Sequence, residues 1–140
     1  MPPEASPDPD YGYTRHLPGV APAAARERIT AALKEEGFGI LTEIDVAATL
    51  KTKLDVDFRP YVILGACNPQ LAHRALGAEI GIGLLLPCNV CVWEEEGGSV
   101  VSIAKPEAMF EIVGRPDVQP VADEAGERLR RALDRLGAPA

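Results

Sequence analysis

Two extended runs around a glycine turn constrain this chain most. "CNVCVWEE" (88–95) and "SVVSIAK" (99–105) flank "EGG", and that chemistry predicts a β-hairpin. Further extended segments are available to pair with it. "YVILGAC" (61–67) is a continuous apolar run, as in a strand covered on both faces or lying at a dimer seam. "YGYTRHL" (11–17) alternates as a first strand at a sheet edge. "FGILTEIDV" (38–46) reads as another strand, with Phe38, Ile40, Thr42 and Ile44 on one side and Leu41 and Glu43 on the other.

Helical spacing appears between and after these runs. "PGVAPAAARERITAALKEEG" has Pro22 in its first turn, Gly37 just past its end, and Ala25, Ile29, Ala32 and Leu33 on one face. "NPQLAHRALGAE" offers Asn68 as N-cap, Pro69 at N1, and Leu71, Ala75 and Leu76 on one face. "AATLKTKLDVDFRP" reads as a short helical or irregular connection closed by Pro60, and "IGIGLLLP" is too glycine-interrupted to assign. "PEAMFEIV" predicts a short helix opened by Pro106. A last helix, about 117–136, carries Val118, Val121, Ala122, Ala125, Leu129, Ala132, Leu133 and Leu136 on one stripe. The expected architecture is α+β, a curved antiparallel sheet backed on one face by two long helices. Residues 1–10, rich in Pro and acidic residues, predict a disordered tail, with one domain over 11–137.

Composition excludes some functions. A net charge of −7, from 14 Lys and Arg against 21 Asp and Glu, argues against nucleic acid, which needs clustered positive charge. Arg128, Arg130, Arg131 and Arg135 sit among Asp123, Glu124, Glu127 and Asp134, the pattern of a solvated, ion-paired helix face. No apolar run approaches the roughly 20 residues that span a bilayer, and the N-terminus lacks the basic and apolar regions of a secretory signal. With an odd count of three cysteines, a reducing, cytoplasmic location is expected.

Two motifs, "CNP" (67–69) and "LLPCNV" (85–90), lie on either side of the "NPQLAHRALGAE" helix. With "GFGILTEIDVAATLKTKL" upstream, they resemble the DUF302 family, from about residue 11 to about 113. The resemblance implies a β-α-β(4)-α fold of the TATA-binding-protein-like type and a homodimer, without an established reaction. It places this chain in the branch with cysteine at both signature positions, Cys67 and Cys88. Other branches have neither, so the fold does not depend on these thiols. Cys91 stands where the family more often has an aliphatic residue.

The residues themselves leave three readings of the thiols. In a strand, residues i and i+3 point to opposite faces, so Cys88 and Cys91 do not chelate one ion unless the chain turns between them. A zinc site would need a second pair, and only Cys67, His16, His73 and carboxylates are on offer. Cys67 and Cys88, each followed by Asn (Asn68 and Asn89), are the stronger pair. If they end and begin neighbouring strands, their thiols converge. Cys67 would then sit at a helix start, where free N–H groups and the helix dipole lower a thiol pKa. Such a pair suits a small ligand or a soft metal ion such as Cu(I), with no cofactor required for folding. The second reading is thiol redox exchange or sulfur carriage on Cys67 and Cys88. In the third, the cysteines are inert core residues of a structural or interaction domain. His73 reads as an exposed helix residue, Glu43 and Asp45 as a solvated strand end, and Trp93 as a core or interface residue. No phosphate loop, H-E-x-x-H or G-x-S-x-G motif is present, so no catalytic residue is assigned and the balance leans away from an enzyme.

Overall fold

Hydrogen bonding between the extended runs builds one five-stranded sheet, all antiparallel, in the order β1-β5-β4-β3-β2. The structure is a computed structural model and describes residues 9–136 of the 140. The strands are β1 (Gly12–Pro18), β2 (Gly39–Asp45), β3 (Tyr61–Cys67), β4 (Cys88–Glu95) and β5 (Gly98–Ala104). The helices are α1 (Pro22–Glu35), α2 (Val46–Leu54), α3 (Pro69–Ala78), α4 (Pro106–Met109) and α5 (Gln119–Asp134). Read without the short helices, the order is the expected β-α-β(4)-α, and the α+β class stands. The tail expected over 1–10 lies, up to residue 8, outside the described residues, as does residue 137.

The hairpin forms around Glu96 and Gly97, and Gly97 takes a positive φ of 78°. Gly98 is tighter still. A Cβ there would overlap the Leu17 carbonyl oxygen of β1 and approach the backbone of Pro18 and Gly19. The β1–β5 register, with Pro18 opposite Gly98, therefore depends on glycine at that position.

α1 and α5 cover one face of the sheet. α1 buries Ala25, Ile29, Ala32 and Leu33, the four residues its spacing predicts. α5 buries Val121, Ala122, Ala125, Gly126, Leu129, Ala132 and Leu133. They meet Val62, Leu64 and Ala66 of β3, Val90 and Val92 of β4, and Val101 and Ile103 of β5 in a single core. Among the described residues neither α1 nor α5 touches the opposite sheet face, where Tyr61, Cys91 and Trp93 lie.

β2 departs from its predicted alternation. A bulge between Ile40 and Thr42 adds one residue at Leu41, and an extra residue shifts the two-residue period by one. Ile40 therefore packs with the helix-side core. Thr42 and Ile44, opposite Gly65 and Ile63, lie on the open face instead of sharing a side with Ile40. The connection after β2 is a regular helix, α2, whose first turn is capped by the Asp45 carboxylate accepting from the Ala48 N–H at 2.9 Å. Glu43 pairs with Arg26 of α1. Both carboxylates are thus structural. "IGIGLL" (80–85) is a 3-10 helix.

The arginine-rich face of α5 has a partner that its own sequence neighbours do not reveal. Glu36, at the end of α1 and only 6% exposed, accepts from Arg131 Nε at 3.0 Å and from Arg135 Nη2 at 2.9 Å. Burial opposes its ionisation more than any other single influence. The two arginines together still hold its carboxyl below the ordinary value. Arg128 pairs with Glu124, and Arg15 of β1 with Asp134.

Candidate functional site

Antiparallel pairing of β3 with β4 sets Ala66 opposite Cys88, so Cys67 and Cys88 occupy diagonal positions on adjacent strands. Cys88 lies on the helix side with Val90 and Val92, both fully buried. Cys67 ends β3, where the chain turns into α3. Alternation alone would aim it at the open face, yet as the last strand residue it still contributes to the wall of the helix-side cavity. That cavity, about 30 Å³, is bordered by Cys67, Asn68 and Cys88 and otherwise by apolar residues, among them Phe38, Leu71, Leu86 and Phe110. A volume of that size holds one or two water-sized bodies. A second depression of about 160 Å³, bordered by Leu84 to Asn89, Ala104, Pro106 and Met109, also includes Cys88 in its wall.

Asn68 is a buried cap rather than a free ligand group. Its Oδ1 accepts from the Leu71 N–H at 3.1 Å, closing the first turn of α3. Its amide nitrogen would lie only 2.9 Å from a Cβ on Gly37, so the end of α1 packs tightly on the wall of the site. Gly37, at a φ of 85°, suits that place twice over.

The thiols keep their protons. Burial pushes Cys88 up to about 11, with the nearby Cys67 adding to the shift. Burial also raises Cys67, where a helix-start position predicts the reverse. The cap supplies a reason: Asn68 engages a free N–H of the first turn, and loss of hydration dominates what remains.

Asn89 and Cys91 stand on the open face, opposite Gly65 and Ile63 of β3. Cys91 is thus on the other side of the sheet from Cys88, and the C-x-x-C spacing brings no chelate together. Burial is the larger influence on the Cys91 thiol and raises it, while the neighbouring Tyr61 opposes that shift. Tyr61 stacks on Trp93, with ring centroids 5.4 Å apart and planes 8° apart. His73 is exposed on α3, and His16, on β1, lies 3.7 Å from Glu95. Among the described residues no group of three or more His, Cys, Asp or Glu is placed to hold a metal ion. No helix among them is long and apolar enough to cross a membrane.

Sequence reasoning missed two features. One is Tyr13, whose hydroxyl donates to Glu107 of α4 and is pushed up to about 12 by burial and that bond. The other is the open face itself, whose composition becomes visible only once the strand register is known.

These features define a small α+β domain, one antiparallel sheet under two long helices, with paired cysteines where the third strand ends and the fourth begins. The family model for DUF302, a domain of unknown function, matches residues 13–136, and the chain belongs to that family. The crystal structure of an uncharacterized conserved protein DUF302 from Bacillus stearothermophilus is similar, at 34% identity and a TM-score of 0.83. The match covers 89% of this chain and 97% of that one. No functionally curated protein matches the chain.

Proposed function

We propose that this DUF302 domain is a non-enzymatic binding protein whose Cys67 and Cys88 together capture one soft monovalent metal ion, Cu(I) above others, and that it works as a homodimer. The observation that carries the reading is the shared cavity. Two thiols on adjacent strands border a space of about 30 Å³, enough for one ion. Small organic ligands need several hundred cubic ångströms. Two sulfur donors suit a soft ion of low coordination number, not a tetrahedral zinc centre with four protein ligands.

Capture replaces two S–H bonds by two metal–sulfur bonds and releases two protons, with no change of oxidation state. The raised thiol pKa values make the metal compete with protons. They also weigh against thiol exchange or sulfur carriage, which need a thiolate near neutral pH. Apparent affinity should therefore rise with pH, by about a hundredfold per unit while both thiols remain protonated.

Anaerobic titration with Cu(I) against a competing chelator tests this. One equivalent should bind. Cys67→Ser and Cys88→Ser should each weaken it by at least about tenfold, and Cys91→Ser should leave it unchanged. Full affinity in the Cys67→Ser/Cys88→Ser double variant would overturn the assignment.

Support for the dimer comes from the edge strand beside β3. β2 is an edge strand with none of its seven residues buried. Leu41, Ile44, Leu54 and Val56 on β2, α2 and the segment after it are exposed large apolar residues. A second copy pairing edge to edge would satisfy the free backbone groups and cover that patch.

A further inference from the structure

We propose that the open face of the sheet holds a second site, a cleft for a neutral, planar small molecule bearing hydrogen-bonding groups. It lies across the sheet from the thiol cavity and stands independently of the metal reading. The cleft measures about 390 Å³, within the range of small-molecule sites. Three of the chain's seven aromatic residues, Tyr11, Tyr61 and Trp93, line it. Tyr61 and Trp93 form the stacked pair, and Tyr11, 67% exposed, stands at the mouth.

The polar groups converge from three strands, β1, β5 and β4. Thr14 Oγ1 and Ser102 Oγ lie 2.9 Å apart, either one able to donate. The pair therefore keeps a hydroxyl hydrogen and lone pairs to offer. The Asn89 side-chain amide is exposed and has no partner among the described residues. The row it belongs to is Gly12, Ala104, Asn89 and Gly65. Ala104 and Gly12 leave the floor low on one side of the amide, while Thr42 and Pro87 fill the space over Gly65 on the other.

Charge decides the ligand class. A quarter of the chain's residues are charged, yet not one of those lining this cleft is. Nothing there would pair with a phosphate, a carboxylate or an ammonium group, and desolvating any of them unpaired is costly. The larger groove beside the hairpin, about 780 Å³, is lined by five charged residues instead, Asp57, Arg59, Glu94, Glu95 and Glu96. Aromatic walls, a sheet floor and convergent neutral donors and acceptors favour a flat, uncharged molecule.

Titration followed by amide and indole NMR shifts tests this, with 2-naphthol as the neutral probe and 2-naphthoate as its charged counterpart. Trp93 is the only tryptophan, so its single indole N–H signal reports on the cleft. Saturable shifts are expected at Trp93, Asn89 and Ser102 with 2-naphthol, and binding of 2-naphthoate weaker by at least about tenfold. Ala104→Phe, which fills the floor, should abolish the shifts. The exposed isostere Asn89→Asp keeps the fold and should weaken 2-naphthol by removing the amide donor. No saturable shift, equal affinity for the two probes, or shifts centred elsewhere would overturn the proposal. So would concentration-dependent broadening of the same signals without a probe, because a second copy would then occupy the face.

Discussion

At neutral pH the Cys88 thiol is protonated because its surroundings offer nothing to replace the hydration a thiolate would lose. A shift from 9 to about 11 lowers its thiolate fraction about a hundredfold. Native-state alkylation with iodoacetamide, followed by mass spectrometry, should find Cys88 nearly silent at pH 8, with a rate still climbing toward pH 11. A rate levelling off near pH 9 would contradict this environment. Gly98 sets a second limit at this scale. Gly98→Ala drives a methyl group into the backbone of β1 and should cost at least about 1–3 kcal/mol, read as a lower urea midpoint. The sequence marked Cys67, Asn68, Cys88 and Asn89 as a set, and the structure divides them. Cys67, Asn68 and Cys88 share a wall, while Asn89 faces the other way. Neighbours along a strand take opposite faces, so Cys88 and Asn89 part as soon as "CNV" is a strand, but which of the two meets the helices depends on the register, and no local pattern around "PCNV" states that.

Helices were legible almost residue by residue, because a 3.6-residue period, a proline at N1 and a glycine past the end are local signals. The stripes of α1 and α5 follow from spacing alone. β2 was misread because one inserted residue, Leu41, reverses the faces of everything after it, and a bulge leaves no mark in "GILTEID". The partner of the α5 arginines was hidden for a different reason. Glu36 ends another helix, and only the packing of α1 on α5 brings it within 3.0 Å of Arg131. Glu36→Gln should destabilise the protein by about 1–3 kcal/mol, toward the lower end because both arginines are half exposed. Its folded carboxyl is held below the ordinary 4.5. The contribution is therefore fully present above pH 4.5 and lost as pH falls through the folded value. Urea midpoints measured from pH 7 down to pH 3 should fall less steeply in Glu36→Gln than in the wild type. Parallel curves would remove the ion pair from the account.

The whole molecule presents three separate surfaces: the thiol cavity under the helices, the uncharged cleft on the open face, and the β2 edge with its apolar patch. If the edge carries the second copy, light scattering on a sizing column should give twice the 14.9 kDa chain mass, and Leu41→Lys with Ile44→Lys should give the monomer. A monomeric wild type would refute the pairing. The proposed metal capture rests on the thiol pair alone. The most direct measurement is copper-edge X-ray absorption on the Cu(I)-loaded protein. Two sulfur neighbours per copper, falling to one in Cys88→Ser, is the predicted result. Copper that fails to stay bound, or that keeps two sulfur neighbours without Cys67 and Cys88, would contradict the assignment.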